Sequence, residues 1–231
     1  MNEENTYNPE KALAYERNTR ISVPTYDALF EMIQSYFRAH INEKEAALLL
    51  VGAGGGNELS AWGTSNPEWS FTGVDPSEEM LFFAKNKAVQ LGIEERVNLI
   101  EGTIEDLPLS DTKFDAASCI LVLHFIQNIE DKLMLLKTTK KHLKPGAPFV
   151  LVCAYGDRDS TELQNRINVW KAFLQDAGFE KSKADERGKI IMNISFIPES
   201  QIQQLLTDAG FTNITRFYST ALFGGWICHA E

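Results

Sequence analysis

Residues 48–60 read LLLVGAGGGNELS. A wholly apolar run, 46–51, enters a cluster of glycines with no polar residue to give it a wet face. Such a run marks a strand buried on both sides, the usual state of a central strand in a parallel sheet. Gly52, Gly54, Gly55 and Gly56 then allow a tight turn and let a ligand come close to the backbone. The stretch after them, 57–64, has a helical pattern and would present free N–H groups and the positive end of a helix dipole to an anionic group. A strand, a glycine loop and a helix in that order confine the chain to the α/β folds.

The rest of the sequence alternates in the same way. Strands are expected at 69–74, 97–100, 114–121 and 149–154. One helix is expected after Pro76, with Leu81, Phe82, Ala84 and Val89 supplying core contacts. Another is expected over 130–143, broken by Pro145-Gly146. This order implies a doubly wound parallel sheet with right-handed crossovers. A last helix over 199–209, closed by Gly210, precedes two strands near 214–218 and 222–229 that can pair antiparallel at an edge. The expected fold is therefore α/β, with a doubly wound, mostly parallel seven-stranded Rossmann-like sheet and an antiparallel C-terminal edge. The whole chain, 1–231, reads as one domain carrying two additions. A helical cap covers 1–43, where Tyr26, Leu29, Phe30, Ile33, Tyr36 and Phe37 recur at helical spacing after Pro24, with Ser22 as a cap. A helical insertion covers 156–189, where Leu163, Ile167, Trp170, Phe173 and Leu174 form an apolar stripe and the charged run 180–189 reads as a solvated face.

Charge narrows the function. With 22 Lys and Arg against 32 Asp and Glu, the formal net charge is −10. That argues against a broad phosphate-binding face and so against nucleic acid as a direct partner. No apolar run approaches the ~20 residues that span a bilayer, and the opening MNEENTYNPE lacks the basic and apolar regions of a signal peptide. A cytoplasmic location and no membrane partner are expected. Cys119, Cys153 and Cys228 have no C-x-x-C spacing, so they read as buried thiols and no metal site is expected.

The loop's spacing separates two cofactor classes. A dinucleotide fingerprint, G-x-G-x-x-G, would need glycine at 57 or 59, where the chain has Asn57 and Leu59. The run fits G-x-G-x-G at Gly52, Gly54 and Gly56 instead. The second strand ends in Gly73-Val74-Asp75-Pro76-Ser77, which puts an acid about 20 residues after the last glycine, suited to accept hydrogen bonds from ribose hydroxyls. The same aspartate can also begin the following helix. A third segment, EGTIEDLPLSDTKFDAASCILVLHFI over 101–126, supplies a strand end, a short acidic loop and a second apolar strand.

With these three segments the chain resembles the class I S-adenosylmethionine (SAM)-dependent methyltransferases over roughly 45–155. The resemblance implies SAM as cofactor and S-adenosylhomocysteine (SAH) as product. It implies that the glycine loop holds the methionine part, that Asp75 holds the ribose, and that Thr103 and Ile104 flank the adenine. The set of cofactor contacts so implied is Tyr26, Gly52, Ala53, Gly54, Gly56, Asp75, Pro76, Thr103, Ile104 and Cys119. Both ends look most like the carboxy-SAM synthase branch, through Arg20-Ile21-Ser22-Val23-Pro24-Thr25-Tyr26 and the terminal FYSTALFGGWICHAE. Three positions depart from the family pattern. Leu50 stands where many members carry an acid, Thr103 where aspartate is frequent, and Lys189, with Arg187 nearby, where the synthase has an arginine for its extra carboxylate. Lysine does not reproduce arginine's bidentate fork.

Methyl transfer from a sulfonium is an in-line displacement, so the protein's part is positioning and water exclusion rather than a catalytic triad. His124, near the carboxyl end of the fourth strand, is the candidate base or acceptor-binding group, against a packed histidine. Tyr15 is a second catalytic candidate, against a core aromatic. Arg20, Trp170 and Lys189 are the substrate-side candidates. The leading expectation is a SAM-dependent methyltransferase acting on a small-molecule acceptor. A carboxy-SAM synthase-like enzyme of tRNA wobble-uridine modification and a non-catalytic SAM- or nucleotide-binding protein are the alternatives. Oligomeric state is left open, a homodimer included.

Overall fold

The computed structural model describes residues 17–41 and 44–231. A helical stretch, 17–22, leads into α1 (Tyr26–His40). Then follow β1 (Ala46–Val51), α2 (Asn57–Trp62), β2 (Trp69–Asp75), α3 (Glu78–Leu91), β3 (Val97–Glu101), β4 (Ala116–Ile120), α4 (Ile129–His142) and β5 (Pro148–Ala154). The insertion forms α5 (Thr161–Asp176) and α6 (Lys181–Ile190), and α7 (Glu199–Asp208), β6 (Phe211–Thr220) and β7 (Phe223–Ala230) complete the chain.

The seven strands lie in the order β3-β2-β1-β4-β5-β7-β6. The first five are parallel, and β7 enters antiparallel between β5 and β6. β1, β4 and β5 are buried almost along their whole lengths because helices cover both faces of the sheet. One core joins α1, α2, α3, α5 and α6 to the sheet through Leu48, Leu50, Phe71, Val150 and Val152. The other joins α4 and α7 to it through Leu49, Val51, Phe149 and Leu151.

Local chemistry fixes the ends of the elements. The Ser77 hydroxyl accepts the Met80 N–H and starts α3, the Asn128 side chain accepts the Glu130 N–H and starts α4, and Ser160 does the same for α5 through Leu163. Gly92 ends α3 in the left-handed conformation.

The structure departs from expectation in four places. The fourth strand begins at Ala116, because Phe114 pairs with Leu143 in an isolated bridge. β6 runs from Phe211 to Thr220, longer than its sparse apolar residues suggest, because β7 pairs along it across two register shifts. In α3 the buried aromatic is Phe83 rather than Phe82, and Ala88 is inside while Val89 is 55% exposed. The charged run 180–189 is not wholly solvated, since α6 buries Ala184 and Gly188.

The chain order changes direction between β1 and β4: β1 continues outward to β2, and the chain crosses back from β3 to β4. Open α/β sheets bind ligands at the carboxyl ends of the strands that flank such a switch.

Candidate functional site

A cavity of about 530 Å³ opens at this switch point, within the range of small-molecule sites. Gly52, Ala53 and Gly54 form its floor, Asp75 and Pro76 one side, and Thr103 and Ile104 the next. Leu121, Val122, Phe125, Ile126 and Leu135 form the opposite wall, and Thr19, Tyr26 and Phe30 close it from the N-terminal helices.

The glycine loop is built by its hydrogen bonds. The N–H groups of Gly52 and Ala53 both donate to the Val74 carbonyl, at 2.9 and 3.0 Å. Gly54 N–H donates to Asp75 Oδ2 at 2.8 Å, and Ser77 N–H donates to Oδ1 at 2.9 Å. Asp75 thus fastens the loop to the start of α3, and each of its oxygens keeps a lone pair for a ligand hydroxyl. Gly52 and Gly56 are left-handed, at φ 75° and 77°. A Cβ on Gly52 would lie 2.2 Å from Val122 Cγ2, and one on Gly56 would lie 3.1 Å from Ala84 Cα. Gly52 therefore keeps the floor clear. Gly56 lets α2 approach α3 and lies outside the cavity wall.

The loop after β3 is fixed by Asp106, whose Oδ2 accepts the Thr103 N–H at 2.8 Å and its hydroxyl at 3.0 Å. Those two bonds hold the Asp106 carboxyl below the usual carboxylate range.

The wall after β4 is held under strain. Leu121 is left-handed, at φ 62°, costly for a branched side chain. Lys132, fully buried, secures the next turn: its Nζ donates to the carbonyls of Leu123 and Ile126, each at 2.6 Å. Burial pushes its pKa down to about 8.

The roof is fastened from two directions. Trp62 Nε1 donates to the Phe30 carbonyl at 3.0 Å, joining α2 to α1. The segment before α1 is held by Trp170 Nε1 on the Ser22 carbonyl (2.6 Å), by Arg187 on the Ser22 hydroxyl (2.9 Å), and by the Tyr218 hydroxyl on the Pro24 carbonyl (2.6 Å).

Of the expected site residues, the cavity gathers Tyr26, Gly52, Ala53, Gly54, Asp75, Pro76, Thr103 and Ile104. Cys119 is buried in β4 away from the cavity lining, its thiol pKa raised by burial. His124 also lies off the lining. Its Nδ1 accepts the Ala154 N–H at 3.1 Å, its ring is 4% exposed, and burial and then the Lys132 charge hold its pKa down to about 3. A neutral ring so held is a packed histidine. Trp170 braces the roof and does not face the cavity, Lys189 is exposed, and Arg20 pairs with Asp27 and lies over the Tyr26 ring. Tyr15 lies outside the described residues.

Sequence reasoning missed Glu58, Phe30, Met80, Leu121 and Leu135, all cavity residues. Glu58 had a signal: it is the charged residue that the sequence places directly behind the glycine loop, and it is 4% exposed. Burial first, then Asp75, raises its pKa to about 8, against opposing contributions from its own backbone N–H and from Lys87. Among the described residues, the cavity wall carries two carboxyl groups, Glu58 and Asp75, and no Lys, Arg or His.

A sheet of this order with such a loop defines the fold of the class I methyltransferases, and the relatives agree. Residues 49–151 match the profile of a family described as a methyltransferase domain. The chain is 27% identical over 205 residues to a carboxy-S-adenosyl-L-methionine synthase of Campylobacter hominis, spanning 87% of this chain and 84% of that one. It is 25% identical over 187 residues to a ubiquinone/menaquinone biosynthesis C-methyltransferase of Rhodopseudomonas palustris, spanning 77% and 72%. A SAM-dependent methyltransferase from Aquifex aeolicus superposes with a TM-score of 0.63 at 18% identity, over 98% of this chain and all of that one. Against two O-methyltransferase-family structures the chain spans only 51% and 58% of their length. The chain thus has the fold of the class I methyltransferases and is similar to SAM-dependent members of that class. The cofactor named for such neighbours is SAM.

The cavity fits that cofactor. The Gly52 floor would be lost to any side chain, Asp75 has lone pairs free toward a diol, and two acids without a basic residue suit a cation.

Proposed function

We propose that this enzyme methylates a small molecule with an apolar body, and that the acceptor enters beside Tyr26, Phe30 and Phe125. The observation that carries this reading is the composition of the cavity wall: aromatic and aliphatic side chains surround the cofactor floor, and among the described residues no histidine or lysine stands with them to act as a base. Tyr26, Gly52, Ala53, Gly54, Asp75, Pro76, Thr103 and Ile104 would hold SAM. Asp75 would take the ribose hydroxyls, and the apolar side of Ile104 would take the adenine. Bound SAM supplies an electrophilic methyl group. The chain's own part is to exclude water with the fastened roof and to align the acceptor. An acceptor that is already nucleophilic near neutral pH fits a wall of this kind.

A net charge of −10 favours a small acceptor over nucleic acid. Among the described residues no helix is long and apolar enough to cross a membrane. We place the enzyme in the cytoplasm, in keeping with three buried free thiols, Cys119, Cys153 and Cys228.

A carboxy-SAM synthase-like activity is the second reading, favoured by the similarity that reaches across 87% of the chain. Against it, Arg187 is engaged with Ser22 and stacked at 4.6 Å on Phe179, and Lys189 is exposed.

Mass spectrometry of the small molecules released from the denatured protein, followed by SAM turnover across a panel of phenols, thiols, amines and activated carbon acids, tests both. SAM or SAH in the released fraction and turnover with one acceptor class support the first reading. The carboxylated cofactor supports the second. Absence of SAM, SAH and turnover overturns both.

A further inference from the structure

The wall of the cavity holds a carboxyl group that the methyltransferase reading does not use. Glu58 sits in the first turn of α2, directly beyond the glycine loop, lines the cavity and is 4% exposed. Its hydrogen bond is to its own backbone N–H. The titratable groups around it are Asp75 of β2, Lys87 of α3 and the thiol of Cys119 on β4, with Tyr26 of α1 sharing the cavity wall. Asp75 already accepts two backbone N–H groups. Glu58 has one backbone donor, its own N–H, against the two that Asp75 accepts, and it faces that second acid in a cavity whose described lining holds no basic residue.

A carboxyl so placed stays neutral until a cation arrives. On the reading that SAM occupies this cavity, the ligand carries a sulfonium before the reaction and a neutral thioether after it. The α-ammonium and carboxylate are common to both forms and cancel in the comparison. The one charge that changes during turnover therefore changes in the cavity that Glu58 lines.

We propose that Glu58 is a proton-linked counter-charge for the sulfonium. Its carboxyl releases a proton to solvent when the charged donor fills the cavity and takes one back when the neutral product remains, so that the site grips the donor and loosens its hold on the product. Glu58 is thus a specificity-determining residue for SAM over SAH. It does not touch the methyl acceptor.

The test is calorimetry of SAM, SAH and sinefungin (an analogue with an ammonium in place of the sulfonium) at pH 7, in buffers of different ionisation heat. For the wild-type protein, SAM and sinefungin should release close to one proton more than SAH. SAM affinity should rise with pH across the range 6 to 9 while SAH affinity stays level. In Glu58→Gln, which mimics the neutral acid and so keeps the fold, the extra proton should vanish and the preference for SAM over SAH should fall about tenfold. Equal proton counts and parallel pH profiles for SAM and SAH in the wild-type protein would overturn the proposal while leaving the cofactor assignment in place. So would an unchanged preference in the variant. Failure of both SAM and SAH to bind would remove the cofactor assignment and the proposal with it.

Discussion

Asp75 Oδ2 accepts the Gly54 N–H at 2.8 Å, which makes this acid a structural member of the glycine loop. Its other oxygen accepts the Ser77 N–H at 2.9 Å, so one carboxylate joins the loop, the end of β2 and the start of α3. Asparagine at this position would turn an amide NH₂ toward one of the two donors. Asp75→Asn should therefore cost about 1–3 kcal/mol of stability and weaken SAM binding by about tenfold or more. Urea unfolding and calorimetry read the two losses separately. Loss of affinity with full stability would show that Asp75 serves the ligand and not the loop.

The floor of the cavity gives a sharper contrast. Gly52→Ala places a Cβ 2.2 Å from Val122 Cγ2 on a backbone at φ 75°. The left-handed conformation costs about 1 kcal/mol and the overlap about 1–3 kcal/mol more. Adding Val122→Ala should return the second part and leave the first. Gly92→Ala is the control, since Gly92 has φ 65° with nothing within 4 Å of a new Cβ. It should lose about 1 kcal/mol and keep its SAM affinity. Equal effects at the two glycines would remove the steric argument.

The insertion acts on the cavity through Ser22. Trp170 Nε1 donates to its carbonyl and Arg187 to its hydroxyl, and the segment they hold carries Thr19 and leads to Tyr26. Trp170→Phe keeps an aromatic ring in the core and leaves the Ser22 carbonyl unpaired. SAM affinity should fall several-fold, the scale of one lost hydrogen bond of about 1 kcal/mol. Hydrogen exchange should rise in the amides around 17–25 and not in α5. An unchanged exchange pattern would mean that the roof does not depend on the insertion.

The parts of this molecule that sequence could read are those that local chemistry decides. β1 and β5 were legible because both faces of each are buried and their runs are apolar throughout. The glycine loop and Asp75 were legible because the turn's backbone geometry demands glycine and the strand end supplies the acid. β6 was under-read because an edge strand has one wet face, and its length comes from β7. Lys132 could not be read at all: a lysine in a helix reads as surface, and only the two carbonyls of the turn after β4 make burial tolerable. His124 was readable as a position and not as a role, because its partner, the Ala154 N–H, lies at the end of β5, 30 residues further along the chain. Phe30, Met80 and Leu135 come to the cavity on three separate helices. Helical periodicity shows that they face inward but not that they meet.

Glu58 makes the stability of the ligand-free enzyme depend on pH. Its folded-state pKa is raised to about 8 from an ordinary value of 4.5, so between those limits the folded chain holds a proton that the unfolded chain has lost. The stability it contributes is complete below pH 4.5 and disappears as pH climbs through about 8. His124 works in the opposite direction lower down: with its pKa held down from 6.5 to about 3, the fold loses stability as pH falls from 6.5. The two overlap between pH 4.5 and 6.5, which leaves the interval from 6.5 to 8 to Glu58. Lys132 and the buried thiols titrate at or above its upper end. Wild-type stability should fall by roughly 1–2 kcal/mol across that interval, at 1.36 kcal/mol for each pH unit. Glu58→Gln should be level over it, and saturating SAM should flatten the wild-type curve as the carboxylate gains its cation. Urea titrations at half-unit steps of pH measure all three curves. A wild-type curve that is already level between pH 6.5 and 8 would mean that Glu58 is ionised in the empty cavity.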